Sequence, residues 1–87
     1  MDKMTAVSVL TEDNPRSSAA DIAMYADVFV EYVKAQANIS EHGSIVFHPR
    51  TGAPIENPYL AIRDRARATL SKTRLRTDRL WQLSEGL

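Results

Sequence analysis

Apolar positions along the chain gather into two long helical stretches, separated by a segment rich in glycine and proline. In the first stretch Ile22, Tyr25, Ala26, Phe29, Tyr32, Val33 and Gln36 share one face at about 100° per residue. Val28 and Ile39 widen that face on one side, and Val30 and Ala37 on the other. Asp27, Glu31, Lys34 and Asn38 hold the opposite side. The apolar arc is near half the circumference, against the stripe of about 100° with which a surface helix meets one core. One partner helix cannot cover it. A second contact in an oligomer is therefore expected through Tyr25, Val28, Phe29, Tyr32 and Val33; the alternative is packing between two elements of the same chain.

Boundary residues sharpen these elements. Ser18 is a helix cap with Asp21 three residues on, a shortened capping box. Gly43 is a left-handed stop for the first helix. Ser44–His48, the turn residues Pro49-Arg50-Thr51-Gly52 and Ala53–Glu56 suit a short β-hairpin, with Pro54 confined to an edge. Asn57-Pro58 opens the second helix, asparagine capping and proline at the first helical position. Tyr59, Ile62, Ala66, Leu70 and Thr73 form a narrower face on a helix expected to run through Arg76, and Arg79–Leu83 forms a short terminal helix after Thr77-Asp78. Residues 1–17 show only weak alternation before the turn chemistry of Thr11–Pro15, which predicts a flexible N-terminal tail that gains order against a partner. The expected fold is all-α: an antiparallel two-helix hairpin with a short β-hairpin-like connector and a short C-terminal helix, in one domain over residues 18–87.

Length changes the picture by pointing outward. A chain of 87 residues buries only roughly 60–65% of its unfolded surface. It contains no cysteine, so disulfides and thiolate metal sites are excluded and an intracellular, cytoplasmic setting is the default expectation. No apolar run approaches the ~18 residues of a membrane span, and Met1-Asp2-Lys3-Met4 lacks the pattern of a signal peptide. Association with further copies is the remaining route to stability.

Charge is neutral overall but segregated. Residues 1–56 carry four Lys/Arg against eight Asp/Glu, and residues 57–87 seven against three. Arg63, Arg67, Lys72, Arg74, Arg76 and Arg79 are candidate contacts for nucleic-acid phosphates. Head-to-tail pairing of acidic and basic halves of neighbouring copies remains the competing use of the same charges.

Little supports chemistry by the chain itself. His42 and His48 flank a glycine and a strand without metal-ligand spacing, and Gly43, Gly52 and Gly86 cannot build a phosphate loop. Asp27 and Glu31 lie at i, i+4 on a polar helix face, as solvated carboxylates do. No catalytic residue, metal or cofactor is assigned. A helix-turn-helix needs a 3–4-residue turn, whereas about fifteen residues separate the long helices.

The order of these signals has a counterpart. It runs Tyr25-Ala26-Asp27-Val28-Phe29-Val30-Glu31-Tyr32, Ala37-Asn38-Ile39, Gly43, His48-Pro49-Arg50-Thr51-Gly52-Ala53-Pro54, Asn57-Pro58-Tyr59 and Leu80-Trp81. This resembles the small terminase subunit of tailed bacteriophages and prophages, in the branch without an obvious helix-turn-helix, over about residues 19–82. Leu75-Arg76-Thr77-Asp78 departs from the Gly-Leu-Thr-Pro-like element that the family often carries. The resemblance implies a non-enzymatic subunit that assembles into a homo-oligomeric ring in the bacterial host cell. It further implies recognition of double-stranded viral DNA at packaging and regulation of the terminase large subunit, which holds the ATPase and nuclease. An oligomeric scaffold that never touches DNA, or a small DNA-binding regulator, remain the alternatives.

Overall fold

Helix capping and one long apolar face set the architecture. In the computed structural model, which describes residues 1–85, the elements are α1 (Lys3–Asp13), α2 (Ala19–His42), β1 (Ile45–Phe47), β2 (Pro54–Glu56), α3 (Tyr59–Leu70) and α4 (Asp78–Glu85). The expected all-α hairpin with a β connector is present. The Ser18 hydroxyl accepts the Asp21 N–H at 3.1 Å and starts α2. Gly43 ends it, its N–H donating to Ile39 O at 2.8 Å. Gly43 has φ 82° and ψ 179°, so the stop uses an extended positive-φ conformation that is essentially glycine's own, rather than the left-handed helical one.

The connector is a two-stranded antiparallel sheet with Ile45 opposite Glu56, Val46 opposite Ile55 and Phe47 opposite Pro54. Its turn is closed by His48, whose Nδ1 accepts the N–H groups of Arg50 (3.1 Å) and Thr51 (3.4 Å). Asn57, 2% exposed, then begins α3. Its Oδ1 accepts the Tyr59 N–H at 3.0 Å, and its Nδ2 donates to Asn38 Oδ1 (3.0 Å) and Gly43 O (2.8 Å). Pro58 is already helical at φ −56°, ψ −25°, as a proline at the first helical position should be. One asparagine thus joins the end of α2 to the start of α3. Side-chain bonds between Asn57 and Asn38, and between Arg67 and Tyr32, show that α3 runs antiparallel to α2.

Two departures from expectation matter for function. Residues 3–13, expected within a flexible tail, form α1. Asp2 caps it by accepting the Thr5 N–H at 2.7 Å, and Ala6, Val9 and Leu10 bury their i, i+3, i+4 stripe in the core with Ile22, Tyr25, Ala26, Phe29, Leu70 and Leu80. The second departure is that α3 stops at Leu70, well short of Arg76. Hydroxyls compete with the helix there: Ser71 Oγ donates to Ala68 O at 2.8 Å, and Thr73 Oγ1 accepts the Leu75 N–H at 3.1 Å. Lys72, Arg74 and Arg76 therefore sit on an irregular link and not on helix flanks.

The wide apolar arc of α2 is covered largely within the chain. α1 packs on one side, α3 on another, and α4 closes over the aromatic positions between them. Trp81 meets Phe29 edge-to-face at 4.8 Å between centroids and Tyr32 at 5.3 Å, while its Nε1–H donates to the Tyr25 hydroxyl at 3.1 Å. Aromatic contacts of this geometry stabilise beyond their buried area. The main core therefore lies at the end of the molecule where all four helices meet. The radius of gyration is 15.1 Å, against about 12 Å for a compact chain of this length. Extents of 51 × 23 × 18 Å reflect a 24-residue helix whose far end carries only the hairpin and the first turns of α3.

Candidate nucleic-acid interface

The basic residues divide into three groups by what holds them. Arg63 and Arg67 are on α3 and already engaged. Arg63 Nε reaches Asp64 at 3.2 Å, and Arg67 donates to the Tyr32 hydroxyl at 3.1 Å, a bond that raises the guanidinium pKa further above its ordinary value. Lys72, Arg74 and Arg76 are exposed on the link and make no ion pair among the described residues. Arg65, which belongs to the same basic run, is also exposed and unpaired among the described residues.

Arg79 forms the third group alone. It lies on the first turn of α4 and is clasped by the last turn of α1. Nη2 donates to Glu12 Oε2 at 2.7 Å and to Val9 O at 3.4 Å, and Nε donates to Asp13 Oδ2 at 3.1 Å. The carboxylates of Asp13 and Glu12 raise its pKa still further.

The link itself is built rather than loose. Asn14, buried where α1 ends, accepts the Arg76 N–H through Oδ1 at 2.7 Å and donates through Nδ2 to Arg76 O at 2.9 Å. Lys72 and Arg74 border a groove of about 420 Å³ whose floor includes Met24, Val28 and Leu70, with Asp21 at its α2 side. Arg76 and Arg79 border another depression with Glu12, Asp13 and Asp78. The structure thus places Lys72 with Arg74 on the rim of one groove, and Arg76 with Arg79 on a depression that three carboxylates share. Arg63 and Arg67 stand apart on α3.

Residues expected at an oligomer interface also sort themselves. Phe29 is fully buried and Tyr25 is 7% exposed, so both belong to the core of the single chain; packing by α1 and α4 is the physical reason. Val28, Tyr32 and Val33 are half-buried. The exposed large apolar side chains are instead Met4, Met24, Ile45, Phe47, Tyr59 and Leu83. Ile45 and Phe47 lie on one face of the hairpin, and Met24 stands among acidic positions on α2. A methionine three residues from Asp21 and from Asp27 was the available signal for that site. Glu12 and Asp13 had no such signal, because their partner is more than sixty residues away.

No group of three or more potential metal ligands occurs among the described residues, and no described helix is long and apolar enough to cross a membrane. Neither the curated proteins nor the solved structures contain a match to this chain. Residues 4–75 match the family model described as phage terminase, small subunit. That span takes in nearly all of α1, then α2, the hairpin, α3 and most of the basic link. The chain belongs to the phage terminase small-subunit family.

Proposed function

We propose that the chain is the non-catalytic, oligomeric subunit of a phage DNA-packaging machine, recognising double-stranded viral DNA in the host cytoplasm and regulating the large subunit with its ATPase and nuclease. Family membership supports the packaging role. The observation that carries DNA contact is the exposed trio Lys72, Arg74 and Arg76, held on an ordered link with none of them in an ion pair among the described residues. Arg67 and Arg63 are secondary contacts in this reading, since each must keep or exchange its present partner. Copies associate into a ring through the half-buried Val28, Tyr32 and Val33 together with exposed Met24.

Binding of a mixed-sequence duplex, titrated against salt, tests the DNA contact. Each phosphate contact contributes about 0.9 to the magnitude of the log–log slope. Changing Lys72, Arg74 and Arg76 together to Ala is expected to lower it by about 2–3. An unchanged slope removes these residues from the interface. The segregation of charge, four cations against eight acids in one half and seven against three in the other, favours the second reading, an oligomeric scaffold without DNA contact. A scaffold would lose assembly, and have no DNA affinity to lose, when the same three residues are changed.

A further inference from the structure

We propose that Arg76 and Arg79 form a site for a backbone phosphate that α1 holds half shut, its acidic last turn occupying Arg79 in the place a phosphate would take. The inference rests on the DNA-binding reading above and concerns how that surface is regulated.

Four observations carry it. The Arg79 guanidinium faces three oxygen acceptors from one turn of α1: Glu12 Oε2 at 2.7 Å, Asp13 Oδ2 at 3.1 Å and Val9 O at 3.4 Å. Two carboxylates beside a helix C-terminus present negative charge to the arginine much as a phosphodiester would. Arg76 borders the same depression, with Asp78 also on its rim, and is exposed and without an ion pair among the described residues, so one cation of the pair is open and the other is taken. Asn14, the residue after α1, fixes the backbone of Arg76 through two hydrogen bonds. The same short segment therefore positions one arginine and neutralises its neighbour.

The clasp is of a kind that can exchange. The side chains of Arg79 and Glu12 are 44% and 68% exposed, and solvated ion pairs are weak and screened by salt. DNA is a dense polyanion whose binding gains from counterion release. When a phosphate takes Arg79, Glu12 and Asp13 lose their partner and face the same anion, so their side chains turn outward while Ala6, Val9 and Leu10 keep α1 in the core. Engagement of DNA and release of the clasp are one event.

The test compares wild type, Glu12→Gln/Asp13→Asn, Arg79→Ala and the triple variant for binding a 30-base-pair mixed-sequence duplex across a salt series. Neutralising the two acids is expected to tighten binding several-fold at low salt and to steepen the log–log slope by about 0.9, because in wild type the cations taken up by the freed carboxylates offset those released at the Arg79 phosphate. In the Arg79→Ala background the same substitutions leave the slope unchanged. A slope that does not steepen in the double variant overturns the inference while leaving DNA binding intact. Equal steepening with and without Arg79 also overturns it, because the acids then act as diffuse charge. If no protein in the set binds the duplex, the DNA-binding reading and the inference fall together. Glu12→Gln and Asp13→Asn as single variants serve the same comparison should the double variant lose its cooperative thermal unfolding.

Discussion

The side-chain amide of Asn14 and the backbone of Arg76, 62 residues apart, exchange two hydrogen bonds of 2.7 and 2.9 Å, so a side chain pairs with a peptide as one strand residue does with another. The same Nδ2 also donates to Leu10 O at 2.9 Å, and Asn14 is 8% exposed. Asn14→Leu leaves the Arg76 N–H and C=O without these partners and is expected to cost about 1–3 kcal/mol. Asn14→Asp keeps the acceptor for the Arg76 N–H but sets an oxygen against two carbonyls, and is expected to cost as much. Urea denaturation, with amide exchange at Arg76 rising in both variants, checks this.

Phe29 separates folding from assembly. Its ring is fully buried between Tyr25 and Trp81, with centroid distances of 6.4 and 4.8 Å. Phe29→Ala is expected to destabilise the single chain by about 3–5 kcal/mol. Met24→Glu, at a side chain 68% exposed, is expected to leave stability within about 0.5 kcal/mol while lowering the mass of the assembly. Sedimentation beside thermal unfolding distinguishes the two. If Met24→Glu retains full oligomer mass, Met24 is not at the contact between copies.

The cap of α1 makes its N-terminus sensitive to acid. The Thr5 N–H, above all through its hydrogen bond, holds the Asp2 carboxyl below the usual carboxylate range. A folded-state pKa below the unfolded one contributes stability above the unfolded value, about 3.9, and loses it as pH falls through the folded value. Exchange of the Thr5 amide is therefore expected to accelerate below about pH 4 relative to that of Leu10, beyond the intrinsic pH dependence. Asp2→Asn, which caps without titrating, should abolish that difference.

Gly43 is expected to resist substitution although space is open around it. A Cβ there would meet no atom within 4 Å, yet φ 82° with ψ 179° is a conformation that side-chain-bearing residues avoid. Gly43→Ala is expected to cost about 1–3 kcal/mol. Thermal denaturation gives the value; a neutral result would mean that the α2 end relaxes to another cap.

Local chemistry was legible in the sequence wherever a few adjacent residues decide the outcome. Ser18, Gly43 and Asn57-Pro58 mark helix ends by their own hydrogen bonding and torsions, and the structure uses each as a boundary. The end of α3 was less so: periodicity carries Tyr59, Ile62, Ala66, Leu70 and Thr73 onward, whereas the Ser71 and Thr73 hydroxyls divert the backbone. For α1, three buried positions in eleven residues give a weak pattern, and the helix owes its place to packing on α2 together with distant partners at Arg76 and Arg79. Phe29 and Tyr25 were correctly placed on an apolar face, but which surface covers a face is a property of the whole chain.

The crowding of the core at one end gives α2 two unequal halves. Ile22, Tyr25, Ala26 and Phe29 lie under α1 and α4, whereas beyond Ala35 the helix is fastened chiefly by α3 and by the hydrogen bonds of Asn57. Amides of Tyr25–Phe29 should then exchange only on global unfolding, and those of Asn38–His42 through a cheaper local opening that also frees the hairpin. A single uninterrupted helix would behave as a rigid root with a yielding tip, able to adjust the hairpin while the basic link keeps its setting.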